Sequence, residues 1–196
     1  MEPGTYSYLC DVHPGMAGSL TVVDSATSIP SPTDVTIQAA GEIGATVGAA
    51  MQSFGDLSAS MPMMSDGDTL RVQMGTPGAA NVNAFFPNVA VIKAGQSITW
   101  SHPEGTFEVH TVAWPSLLGQ DIVPVERDGM PPALTVGPAL TPETPSGTTV
   151  DADGKFNSGG IFAGQTYTLT FSEPGVYPYV CSLHLGMQGV VVVQPE

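Results

Sequence analysis

The chain has 196 residues, and its 18 acidic against 4 basic side chains give a formal net charge of −14. Arg71, Lys93, Arg127 and Lys155 assemble no basic patch, which argues against nucleic acid as a partner. Hydrophobic residues make up 42%, enough for a packed core and too many for general disorder. Residues 1–20 carry neither a basic nor an apolar targeting segment.

Gly and Pro are scattered among short Val/Thr/Tyr-rich runs, the composition of a turn-rich β protein. In chain order, residues 5–9 and 18–23 read as two strands of a hairpin. A Ser/Pro/Thr stretch from Asp24 to Thr33 follows as a linker. Ser31-Pro32 is a helix start, with Asp34 in the first turn suiting the helix dipole. Ile37, Ala40, Ile43, Val47, Ala50, Met51 and Phe54 recur at helical spacing, so a helix is expected over about 32–55, ending at Gly55. Gln38, Glu42 and Gln52 interrupt its apolar residues and argue against a membrane span.

From residue 67 the pattern turns to short strands: 69–74, 83–86, 89–93, 97–101, 109–114, 166–171, 176–180 and 190–193. Such spacing suggests a β-sandwich. Residues 115–153 break the rhythm with seven prolines and no clear period, and read either as a functional loop or as an excursion packed on one sheet.

One cassette occurs twice, at a constant offset of 171 residues. It reads Glu2-Pro3-Gly4 through Cys10, His13 and Met16 at the start, and Glu173-Pro174-Gly175 through Cys181, His184 and Met187 near the end. Each copy gathers a thiolate, an imidazole and a thioether, a soft set that favours copper over hard cations. Methionine is a poor ligand for zinc. A Cys10–Cys181 disulfide explains this shared context less well. A third strong ligand must come from another strand, and His110 in Glu108-Val109-His110-Thr111-Val112 is the best candidate. His102 competes from a turn eight residues earlier. Met61, Met63 and Met64 invite a copper(I)-binding reading, against the commoner one of incidental packing. The four histidines include no His-x-His pair and each loop has one cysteine, so an enzyme acting on its own is not expected.

The run from Phe156 through Gly164-Gln165-Thr166 to Phe171, followed by the Cys181–His184–Met187 spacing, resembles the second half of a cupredoxin. The spacing is similar to the amicyanin and pseudoazurin loop, and Val109–Val112 resembles the first-histidine strand. The family often has Pro before the loop histidine; here it is Leu183. The resemblance covers roughly residues 67–196. It implies an all-β Greek-key sandwich and one copper ion, with His110, Cys181 and His184 in the trigonal plane and Met187 axial. It further implies an electron port at an exposed edge of His184 where a redox partner docks. A backbone N–H near Thr111 is a candidate donor to the Cys181 sulfur, in keeping with control of a metal site by its surrounding groups. The expected function is single-electron transport by Cu(II)/Cu(I) cycling; the alternative is copper storage, delivery or sensing. Periplasmic or extracellular placement is expected, or membrane association in a full-length protein.

His110 precedes Cys181 by 71 residues, an interval with no counterpart before Cys10. Residues 1–23 therefore read as the C-terminal hairpin of an incomplete cupredoxin-like unit, 24–66 as a linker with its helix, and 67–196 as a complete domain. The hairpin could belong to a longer tandem protein or mediate a homo-oligomer. It could also complete a second or vestigial site from Cys10, His13 and Met16 with a borrowed histidine. Two strands are marginally stable alone, so packing against further structure is expected.

Overall fold

A computed structural model describes residues 2–10, 16–60, 65–78, 80–106, 108–150 and 153–196. The chain divides into two compact units, Met1–Ala49 and Ala50–Glu196. His13, Met61, Met63 and Met64, on which expectations were placed, lie outside the described residues.

In the first unit, β1 (Gly4–Leu9) pairs antiparallel with β2 (Ala17–Val22), in the expected hairpin. Helix α1 (Pro32–Ser60) begins with a reciprocal cap. The Ser31 hydroxyl accepts from the Asp34 N–H at 3.2 Å, and the Asp34 carboxylate accepts from the Ser31 N–H at 3.1 Å. The expected stop at Gly55 is not used, and the helix runs on to Ser60. An interior glycine costs only about 1 kcal/mol against alanine. Within the second unit, edge-on packing of Phe54 on Phe86 at 5.6 Å holds the last turns.

The strands of the second unit are β3 (Ser65–Asp66), β4 (Thr69–Met74), β5 (Phe85–Phe86), β6 (Val89–Lys93), β7 (Ser97–Ser101), β8 (Ala113–Trp114), β9 (Ile122–Arg127), β10 (Met130–Val136), β11 (Thr148–Val150), β12 (Phe156–Asn157), β13 (Thr166–Phe171), β14 (Gly175–Val180) and β15 (Gln188–Gln194). One sheet has the order β11-β13-β7-β4-β3, with β5 on β4; the other has the order β12-β8-β14-β15-β6. β3 falls inside the segment expected as linker, so the strands start at Ser65. Burial alternates along β6, β7 and β13, as one-sided strands require. The two inner faces share one core. Val72, Met74, Ile98, Trp100, Leu169 and Phe171 come from one sheet, and Ala90, Ile92, Tyr177, Tyr179, Val191 and Val193 from the other.

Two expectations fail here for identifiable reasons. Residues 115–153 are not without pattern: β9 and β10 form an antiparallel hairpin around Gly129, at φ +71°. Pro124, Pro131 and Pro132 are accommodated because this ribbon has only two strands, each with an outer edge that needs no N–H, and because the register shifts between Met130 and Ala133. The strand expected over 109–114 is regular only at Ala113–Trp114, with an isolated bridge between His110 and Ile161. In between, the Thr111 N–H turns to the Cys181 sulfur and the Val112 N–H to the Ser158 hydroxyl. Backbone donors that a ladder would use go to side chains instead, one of them the Cys181 sulfur.

Candidate metal centre

The seven-residue stretch Cys181–Met187 closes the β14–β15 hairpin. Cys181 N–H bonds the Met187 carbonyl at 2.9 Å, and Met187 N–H bonds the His184 carbonyl at 3.2 Å. Gly186, at φ +85°, supplies the left-handed residue of this tight loop. The neighbouring segment locks onto it: Ser182 N–H donates to the Thr111 hydroxyl at 2.7 Å, and Leu117 N–H donates to the Ser182 hydroxyl at 3.0 Å. His110 is fixed through its backbone, which exchanges hydrogen bonds of 3.1 and 2.7 Å with Ile161.

These constraints bring His110, Cys181 and His184 together. The two Nδ1 atoms are 3.2 Å apart, and the Cys181 sulfur lies 3.3 Å from His184 Nδ1 and 3.8 Å from His110 Nδ1. A first-row ion bound trigonally at ordinary N and S bond lengths needs edges of about 3.5–3.8 Å. The donor triangle fits a soft or borderline metal with only small adjustment. Met187 is buried at the end of the same loop, at 1% exposure. His102 stays outside the triangle. Its buried ring stacks on His110 with centroids 4.7 Å apart, and its Nδ1 lies 3.1 Å from the Pro103 carbonyl oxygen.

The electrostatics suit a metal that needs neutral imidazole and thiolate. Burial, then the charges of His102 and His184, push His110 down to about 3, so it is neutral at ordinary pH. Burial opposes ionisation of Cys181. Hydrogen bonds with His184 and with the Leu183 and Thr111 N–H groups, together with the His184 charge, nevertheless bring its thiol below the usual range. The Thr111 N–H reaches the sulfur at 3.4 Å, in the region where such a donor is expected. Burial disfavours the His184 cation, but Cys181 and then Glu108 raise its pKa above the ordinary imidazole value.

Two residues at this centre carry no advance signal in the sequence. Gly75 follows β4 with φ +69°, and a Cβ there would lie 2.8 Å from His110 Nε2, so glycine is required on both counts. The Met74-Gly75-Thr76-Pro77-Gly78 turn signal marks a chain reversal, not its closeness to a histidine. Glu108 Oε2 lies 3.1 Å from His184 Nε2. The edge of His184 expected to be open is therefore engaged, and its side chain is only 18% exposed.

Residues 70–194 match the family model of copper binding proteins, plastocyanin/azurin family. The chain belongs to this family. Copper is accordingly its cofactor, and the two-sheet architecture is the cupredoxin sandwich. Over 104 residues the chain is 31% identical to amicyanin-alpha of Methylorubrum extorquens, a match covering 53% of this chain and 58% of that protein. The chain thus spans little more than half the length of that relative. Among solved structures, amicyanin from Paracoccus versutus is 21% identical with a TM-score of 0.38, covering 66% of this chain and 85% of that one. A purple cupredoxin from Nitrosopumilus maritimus is 20% identical with a TM-score of 0.36, covering 63% and 98%.

Of the N-terminal cassette, Cys10 is half-buried, Met16 is 63% exposed, and neither cysteine is in a disulfide. No helix among the described residues is long and apolar enough to cross a membrane.

Proposed function

We propose that the chain is a mononuclear blue copper electron carrier, with His110, Cys181 and His184 as the trigonal ligands of one ion and Met187 as the weak axial ligand. The observation that supports this most is the donor triangle with edges of 3.2–3.8 Å, assembled from two separate segments. Copper held by His110, Cys181 and His184 with the Met187 thioether would supply a one-electron Cu(II)/Cu(I) couple, and such a mixed imidazole, thiolate and thioether set would suit both states.

The chain's own residues hold that set in place. Thr111 N–H holds the Cys181 sulfur, Ile161 holds the His110 backbone and Met187 N–H holds the His184 carbonyl, so little has to move when charge changes. The Thr111 N–H draws charge from the sulfur and stabilises the reduced state. Burial of Cys181 and His110 at 2% and 1% exposure excludes water from the donors.

Electrons leave and enter by way of His184, beside the 89% exposed Leu185 and the partly buried Leu183. A redox partner protein docks there, and the net charge of −14 favours a basic one. The working location is outside the cytoplasm, and the role is carriage rather than catalysis. Residues 67–196 act as the functional domain.

Addition of Cu(II) should give an intense absorption toward the red end of the visible spectrum that Cys181→Ser abolishes. Fast, reversible one-electron electrochemistry should accompany it. Copper that departs on reduction would instead indicate delivery or storage, and no visible band in the unmodified chain would refute the assignment.

A further inference from the structure

Glu108 stands two residues before His110, so one short segment meets both imidazoles of the donor triangle. Its carboxylate oxygen lies 3.1 Å from His184 Nε2, the nitrogen that faces away from the triangle, while His184 Nδ1 faces the Cys181 sulfur at 3.3 Å. The Glu108 backbone is held in position. Glu108 N–H donates to the Thr106 hydroxyl at 3.2 Å, and the Asn81 amide donates to the same oxygen at 2.6 Å. Glu108 is 37% exposed and His184 18%, so this contact sits at the rim of the site.

We propose that Glu108 is a positioning residue of the metal centre, holding the His184 ring with its hydrogen on Nε2 and its Nδ1 turned to the ligand cluster. The inference rests on the copper reading above. An ionised carboxylate can only accept a hydrogen bond, so its partner nitrogen must carry the hydrogen. That leaves Nδ1 with a lone pair aimed at Cys181 and His110. A carboxylate on the outer nitrogen of a ligating histidine fixes its tautomer and orientation and raises its basicity. The contact also restrains the ring from rotating outward. It places a negative group over the His184 edge, so a docking partner meets a carboxylate rather than a bare imidazole.

The test compares Glu108→Ala and Glu108→Gln in the full chain. Long-range ¹H–¹⁵N NMR of the metal-free protein, recorded above the imidazole's titration range, reads the His184 tautomer. The unmodified chain and Glu108→Gln, whose amide oxygen still accepts, should show Nε2–H; Glu108→Ala should show a tautomer mixture. Copper(II) affinity should fall by about 10–100-fold in Glu108→Ala, with an altered visible band, and much less in Glu108→Gln. A purely structural role would lower thermal stability without moving the tautomer. An unchanged tautomer and unchanged copper affinity in Glu108→Ala would overturn the proposal. Should the unmodified chain bind no copper, the functional reading fails, and the tautomer comparison still decides the role of Glu108.

Discussion

The N-terminal and C-terminal hairpins are one local structure in two surroundings. The register Gly4↔Val22 through Leu9↔Ala17 repeats as Gly175↔Val193 through Val180↔Gln188. Cys10 N–H bonds the Met16 carbonyl at 2.9 Å, as Cys181 N–H bonds that of Met187 at 2.9 Å. The Tyr6 hydroxyl donates to the Glu2 carbonyl at 2.8 Å, and the Tyr177 hydroxyl to that of Glu173 at 2.9 Å. The surroundings differ. Tyr179 is fully buried against Phe85 and Trp100, whereas Tyr8 is 64% exposed. Cys181 faces a buried histidine from a distant segment across 3.8 Å. Local sequence thus makes the hairpin. A metal site needs in addition a distant imidazole and a core that excludes water.

The contrast can be broken most forcefully at the cysteines. Cys181→Ser should abolish the copper-dependent visible band, and Cys10→Ser should leave it unchanged, as read by titration with Cu(II). Loss of colour in Cys10→Ser would dissolve the distinction between the hairpins. The next largest effect lies in the core. Tyr179→Ala should cost about 3–5 kcal/mol in urea unfolding, whereas Tyr8→Ala at the matching exposed position should stay within about 0.5 kcal/mol. Comparable losses would mean that Tyr8 is buried in solution.

Glycines sharpen the comparison further. Gly75→Ala forces a left-handed residue and a Cβ against His110 Nε2 at 2.8 Å, so it should cost about 1–3 kcal/mol and weaken copper binding. Gly4→Ala, with its nearest neighbour at 3.8 Å, should do neither. Equal copper affinity in Gly75→Ala and the unmodified chain would contradict the close packing of His110.

The last contrast is a gradual one, a pH slope. His110 stays neutral in the folded chain down to about 3, against an ordinary value of 6.5. The unfolded state therefore binds more protons below about pH 6.5. Metal-free stability should fall as pH drops from there toward 3, by up to about 1.4 kcal/mol per pH unit from this group. His102, lowered mainly by burial, acts with the same sign. His184, with its raised value, acts oppositely: its contribution is full below about pH 6.5 and is lost as pH rises through its folded value. Urea unfolding of metal-free His110→Gln across this window should show a flatter slope than the unmodified chain, and an identical slope would show that His110 is not held neutral.

What the sequence made legible was whatever depends on nearby residues or on a strong chemical pattern. The strands 69–74, 89–93, 97–101 and 166–171 appear where the alternation places them. The convergence of His110 with Cys181 and His184 followed from the demand for a ligand on another strand. The β9–β10 hairpin was hidden by its prolines, although Asp128-Gly129 between alternating apolar residues is a hairpin signal. The end of α1 was misplaced because a glycine permits a stop without enforcing one, and Phe54 found a partner in Phe86. Gly75, Ser158 and Glu108 could not be found in advance, because each acquires its role only when a distant segment folds against it.

Copper stoichiometry measured together with the visible spectrum tests the central claim most directly. One copper per chain is expected, with an intense band toward the red that Cys181→Ser removes and Cys10→Ser retains. Two coppers per chain, or a band that survives Cys181→Ser, would contradict it.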